Sequence, residues 1–172
     1  MVEKRGLSKL GSFMTQGTLE DAIALAVEHF RGMQDKDGQP FVLHLFRVML
    51  SLPDADSQIV GVLHDIVEDT HVSLNDLKTL GYSETIVEAV RCLTHPEGVS
   101  YCEYIIGIRD NAIARECKLA DLKDNYRLDR VAYRAGYPKE DAKRIQRYIL
   151  SNQFLHGKID ETEYRQRMQV VE

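Results

Sequence analysis

The segment Gly61-Val62-Leu63-His64-Asp65-Ile66-Val67-Glu68-Asp69-Thr70 opens apolar and then sets four ionisable side chains in six positions. On a continuous helix His64 and Glu68 stand four apart, as do Asp65 and Asp69. The two pairs then line neighbouring strips of one face. Burying such groups unpaired is expensive. A divalent metal offsets that cost, because imidazole nitrogen and carboxylate oxygen both ligate first-row metals. The competing reading is an exposed, capped helix end, although carboxylates are unfavourable beside the negative end of the helix dipole.

Two further segments carry the same residue types. In Pro40-Phe41-Val42-Leu43-His44-Leu45-Phe46-Arg47, His44 is flanked by apolar residues. Alone it reads as a hydrogen-bonded core histidine. In Cys117-Lys118-Leu119-Ala120-Asp121-Leu122-Lys123-Asp124-Asn125, the residues Lys118, Asp121 and Asn125 share one helical face. Alone they read as a Lys118–Asp121 salt bridge or a solvated face. Taken together, the three segments bring a histidine, a His-Asp pair and a distant aspartate.

The elements that must position these groups are helical. The four prolines (Pro40, Pro53, Pro96 and Pro138) fall where helical periodicity breaks. Thr18 begins a helix, with Asp21 completing a capping box. Pro40 opens a second helix. Asp56 or Ser57 caps a third, predicted to run through about Asp69. Ser73, Ser83, Ser100 and Asn111 begin four more, and Gly81 and His95-Pro96 act as stops. Another follows Pro138, and Asp160 or Thr162 begins the last. Alternating strand patterns are nearly absent, so the fold class is all-α, a single-domain helical array. Facing helices in such an array can project ligands into a shared cavity. Residues 1–17 read as a loose arm, 18–135 as the core, and 136–172 as a helical extension packed on the core or on a partner subunit. Tyr133, Tyr137, Tyr148, Phe154 and Tyr164 are the expected anchors of the chain beyond residue 130.

Composition narrows the function. The 172 residues carry 22 Lys+Arg against 27 Asp+Glu, a net charge of −5. A general nucleic-acid binder or membrane-surface binder would show a basic excess. No apolar run approaches the ~20 residues that span a bilayer. No signal peptide is read, so a cytoplasmic protein is expected. The cysteines Cys92, Cys102 and Cys117 are odd in number and include no CxxC, which argues for buried free thiols over a disulfide framework or zinc ribbon.

The order His…His-Asp…Asp resembles the signature of HD-domain metal-dependent phosphohydrolases, and most closely the hydrolase domain of the RelA/SpoT family. That family carries HD-x-x-EDT, present as His64-Asp65-Ile66-Val67-Glu68-Asp69-Thr70. It carries G-x-P-[YF]-x-x-H, present as Gly38 to His44, and K-L-A-D with a following asparagine, present as Lys118 to Asp121 and Asn125. The resemblance covers roughly residues 18–130.

It implies an HD-type helical array in which His44, His64, Asp65 and Asp121 ligate one divalent ion, usually Mn2+. It implies that Glu68 and Asp69 orient a water or exchange protons with it. Lys36 and Asn125 match family positions for substrate contact, and Lys118 joins them. Arg47 is added from its i+3 relation to His44. The implied reaction removes the 3′-pyrophosphate from guanosine tetra- or pentaphosphate (ppGpp or pppGpp). The implied partner is a nucleotide, with no nucleic acid and no membrane, and a homo-oligomer is one option. The separate synthetase domain of bifunctional members has no room in 172 residues. Departures stand at Asp35, Leu45, Leu122 and Asp124, where the family carries Arg, Pro, Arg and His. Those at Asp35, Leu122 and Asp124 remove charge or a donor expected near the phosphates, which admits a less charged nucleotide. The alternatives to this hydrolase are a non-catalytic nucleotide sensor on the same scaffold and a purely structural helical protein. His71 is read as a cavity edge or a solvent-facing turn, and Arg127, Arg130 and Arg134 as an anion-binding rim or a solvated face.

Overall fold

The structure, a computed structural model, describes residues 16–35, 38–127 and 138–171. Among these residues it is all-α, with no strand and one isolated bridge between Gln34 and Pro40. The helices are α1 (Leu19–His29), α2 (Val42–Leu50), α3 (Ala55–Leu63), α4 (Ile66–Asp69) and α5 (Leu74–Thr79). They continue as α6 (Glu84–Leu93), α7 (Tyr101–Ile108), α8 (Ala112–Asn125), α9 (Pro138–Leu155) and α10 (Glu161–Val171).

Most helices begin where a short polar side chain can satisfy a free backbone N–H. Thr18, Ser73, Ser83, Ser100 and Asn111 each accept a bond from the backbone nitrogen three residues on. The third helix starts two to three residues earlier than expected. Asp54, not Asp56 or Ser57, is its cap, because the Asp54 carboxylate takes both the N–H and the hydroxyl of Ser57. Asp160 caps the last helix by accepting from Glu163 N at 2.8 Å.

The apolar α3 lies at the centre, against α1, α2, α6 and α8. Val60, Val62 and Leu63 on α3, Leu45 and Val48 on α2, and Val90 on α6 are all buried. Gly61 allows the closest approach: a Cβ there would stand 2.5 Å from Leu52 Cδ1 and 3.1 Å from Met49 Cα. The missing side chain lets the end of α2 rest on α3, and so draws His44 and His64 together. The chain enters α2 through a closed turn in which Gly38 adopts φ +74° and Asp35 accepts from Gln39 N at 2.9 Å.

Helices α9 and α10 pack against each other, α9 also against α8, and α10 against α7. Their anchors Phe154 and Tyr164 stack at 4.5 Å and belong to the same core as α3. Tyr148 packs against that core while partly exposed, and the expected anchors Tyr133 and Tyr137 lie outside the described residues. Cys102 and Cys117 are buried free thiols and Cys92 is half-buried. No helix among the described residues is long and apolar enough to cross a membrane.

Candidate metal centre

The expected continuous helix through Asp69 is interrupted. Helix α3 ends at Leu63, α4 begins at Ile66, and Asp65 between them takes φ −98°, ψ 0°. That sparsely populated region of backbone space recurs at active sites. The physical reason is local. On a straight helix adjacent residues diverge by about 100°, whereas this turn lets His64 and Asp65 face one centre. His64 and Glu68 therefore do not share one uninterrupted helical strip.

Four side chains converge from three regions. His44 comes from the first turn of α2, His64 and Asp65 from the α3–α4 turn, and Asp121 from α8. His64 Nε2 lies 3.0 Å from Asp65 Oδ2 and 3.9 Å from Asp121 Oδ1. His44 Nε2 lies 3.4 Å from Asp121 Oδ1 and 3.9 Å from Asp65 Oδ2. His44, His64 and Asp121 are only 3, 2 and 4% exposed. One donor atom from each of these three falls within 4.8 Å of the others.

The outer atoms of the histidines settle which nitrogen faces the centre. His64 Nδ1 donates to Gly61 O at 2.8 Å, and His44 Nδ1 donates to Asp124 Oδ2 at 2.7 Å. In the neutral rings both Nε2 atoms then carry the lone pair. His64 Nε2 is fully buried without a hydrogen-bond partner. A buried nitrogen left so is costly, and an imidazole braced at its other nitrogen is the usual form of a metal-ligating histidine. The residues present therefore fit a divalent ion, with His44, His64 and Asp121 offering donor atoms near one point and Asp65 beside them.

The charges around the centre are strongly coupled. Burial would pull His44 down, but its bonds to Asp121 and Asp124 outweigh burial and raise its pKa to about 9. Burial likewise opposes charge on His64, yet the Asp65 carboxylate beside it leaves its pKa raised. Burial would raise Asp121, but Lys118 and the two histidines hold it well below the usual carboxylate range. Partial desolvation, then the charges of Asp65 and Glu68, push Asp69 up to about 6.

The remaining expected residues fall as follows. Lys118 Nζ bonds Asp121 Oδ2 at 2.8 Å beneath the Tyr104 ring, and Asn125 Nδ2 donates to Asp121 Oδ1. Arg47 lies against Asp124, with Nε 2.7 Å from Oδ1. Glu68 is exposed on α4 and accepts from His95 N at 3.0 Å, while the His95 ring stacks on Tyr104 at 4.6 Å. Asp69 is exposed at the end of α4. His71 is exposed, with its ring edge-on to that of His29, and faces solvent. Lys36, Arg130 and Arg134 lie outside the described residues, and Arg127 is exposed, 3.8 Å from Asp124.

Sequence reasoning missed Asp124, which reads as a lost donor beside the phosphates but is buried on His44. Its i+3 spacing from Asp121 was the available signal. Leu122, also expected near the phosphates, and Leu45 are buried core residues. Asp35 closes the turn before α2.

No family model matches the chain. The solved structure of a metazoan ortholog of SpoT, which hydrolyzes ppGpp and plays a role in starvation responses, superposes with a TM-score of 0.62. The chain has a SpoT-like fold. The match covers 95% of this chain and 96% of the SpoT ortholog at 22% identity, so the likeness rests on architecture. A GTP pyrophosphokinase of Streptomyces coelicolor is 26% identical over 143 residues, 76% of this chain. The chain spans only 17% of the length of that relative. The RelA/SpoT-like resemblance read from the motifs thus agrees with the SpoT-like helical array.

Proposed function

We propose that this chain is a Mn2+-dependent nucleotide pyrophosphohydrolase that removes the 3′-pyrophosphate of guanosine 3′,5′-bis(diphosphate), ppGpp, in the cytoplasm. The observation that carries the reading is the pair of braced histidines, whose Nε2 atoms face two carboxylates in a buried centre. The SpoT-like fold and the HD-x-x-EDT and K-L-A-D motifs support it.

His44, His64, Asp65 and Asp121 hold the ion. When bound, a divalent ion lowers the pKa of water and polarises a phosphorus centre. Glu68, steadied by the His95 N–H, takes the proton from the attacking water. The water oxygen bonds to the phosphorus on the 3′ oxygen, and the bond from that phosphorus to the ribose oxygen breaks. Asp69, with its pKa near 6, is placed to return a proton to the departing 3′ oxygen. GDP and pyrophosphate result. Lys118 and Asn125 hold Asp121 and flank the bound phosphates, and Lys36 meets phosphate or base.

The test is release of pyrophosphate from a nucleotide panel that includes ppGpp, with Mn2+ added. Release from ppGpp, lost in His64→Ala and reduced about 100-fold in Glu68→Gln, is the expected result. Release confined to another nucleotide would keep the hydrolase and reject the substrate. Silence across the panel, with the nucleotide still bound, would identify a sensor.

A further inference from the structure

Asp124 is a buried carboxylate, 5% exposed, placed one turn beyond Asp121 on α8. Its two oxygens meet two residues of α2, and Arg127 Nη1 lies 3.8 Å from Oδ1. Oδ2 takes His44 Nδ1 at 2.7 Å, and Oδ1 takes Arg47 Nε at 2.7 Å. A second guanidinium nitrogen, Arg47 Nη2, reaches Oδ2 at 3.2 Å. His44 is thus held at both ring nitrogens by aspartates of the same helix: Asp121 faces Nε2 and Asp124 faces Nδ1.

Fold stability alone is a weak account of these contacts. A buried ion pair between Arg47 and Asp124 alone adds little net stability against well-packed apolar residues. A histidine with one stable bond is also sufficient for a core. What the arrangement does fix is direction. The Nδ1–H bond leaves the lone pair on Nε2 and turns it toward Asp65 and Asp121. Carboxylate–histidine pairs of this kind orient metal ligands and make them more basic. The second consequence concerns Arg47. A guanidinium with two donors on one carboxylate presents a neutral pair to anything else that approaches.

We infer that Asp124 is a positioning residue, which aims His44 Nε2 at the metal centre and withdraws Arg47 from phosphate recognition. The inference rests on the metal-centre reading above. It also reassigns Arg47 from the substrate contact that its spacing suggested to a clamp on Asp124.

The test is Mn2+ titration calorimetry on chelator-stripped wild-type protein and on chelator-stripped Asp124→Asn, Asp124→Leu and Arg47→Met. Asp124→Asn is nearly isosteric and keeps one acceptor for His44 Nδ1–H, while it removes the charge and turns an amide NH2 toward Arg47 in place of the oxygen that took its Nε–H. About 10-fold weaker Mn2+ binding is expected for Asp124→Asn and about 100-fold for Asp124→Leu. In 15N-labelled metal-free protein, at a pH where the wild-type His44 ring is neutral, Asp124→Leu is expected to lose the single tautomer, a change that simple loosening of the core would not produce. The KM for nucleotide at saturating Mn2+ should stay within a factor of about three in Arg47→Met, since Arg47 does not bind substrate. Unchanged Mn2+ affinity in both Asp124 variants, on a wild type that binds Mn2+, would overturn the inference and leave the metal reading intact. So would a large rise in KM for Arg47→Met. If Asp124→Leu does not fold, Asp124→Asn alone decides the first point. A wild type that binds no Mn2+, or a His64→Ala variant that binds it equally, would instead overturn the metal reading and the inference together.

Discussion

Ser151 and Tyr164 sit as deep in the protein as His44 and His64, yet their polar atoms are finished differently. Ser151 Oγ donates to Arg147 O at 2.7 Å and meets Tyr164 OH at 3.0 Å. Those hydroxyls close on each other and on the backbone of α9. At the other cluster, His64 Nε2 is buried with no hydrogen-bond partner, although Asp65 Oδ2 is 3.0 Å away. Burial alone therefore does not mark a site. A closed polar pair is structure, and a set of buried donors aimed past one another at a common point is a place for a ligand.

The sharpest way to break this contrast is to remove one group from the open cluster. His64→Ala deletes a lone pair whose isolation costs roughly 1–3 kcal/mol, and leaves a small cavity of comparable cost. The melting temperature of chelator-treated protein should stay close to that of wild type. Metal-dependent hydrolysis should fall about 1,000-fold or more, because several kcal/mol of charge stabilisation are lost. A variant that melts far lower but, while folded, still turns over would mean that the open cluster is as structural as the closed one.

The second contrast is electrostatic, and its sign can be worked out. In metal-free protein the His44 pKa is raised from the ordinary 6.5 to about 9. Between those values the folded chain holds a proton that the unfolded chain has lost. Its contribution to stability is complete below pH 6.5 and disappears as pH rises through about 9. Urea midpoints of chelated protein should therefore decline across that window. Mn2+ needs the neutral imidazole, so its affinity should rise over the same window. Parallel declines with and without Mn2+ would separate His44 from the ion.

Much of this was legible in the sequence. The caps at Thr18, Ser73, Ser83, Ser100 and Asn111 follow from single polar residues before apolar periodicity, and each was read correctly. His44, His64, Asp65 and Asp121 stand out because their types are costly to bury and their motifs recur in order. The break at His64–Asp65 was not legible, since both residues tolerate helix and no glycine or proline marks the turn. Asp124 was misread for a related reason: its role depends on which nitrogen of a distant histidine it meets. The closure of Asp35 on Gln39 N was equally hidden, being a matter of turn geometry.

The smallest expected effect belongs to the closed cluster. Ser151→Ala removes the bond to Arg147 O and the contact with Tyr164 OH, a net loss of about 1 kcal/mol. A hydroxyl that bonds back to the carbonyl four residues earlier helps a helix little, and alanine is the better helix former by about 0.5 kcal/mol. The two effects oppose each other, so stability should fall by less than about 1 kcal/mol. Serine does not titrate, and that loss should be the same at pH 6.5 and pH 9. Mn2+ affinity and turnover should match wild type, because Ser151 lies on α9, among the residues that anchor the C-terminal pair. The measurement is urea unfolding at both pH values beside Mn2+ calorimetry. A loss that grew with pH, or a weakened Mn2+ site, would show that the two clusters are joined through Tyr101. That ring lies 5.6 Å from the Arg147 guanidinium, and burial, with the Lys118 and Asp121 charges acting in opposite directions, leaves its hydroxyl pKa raised.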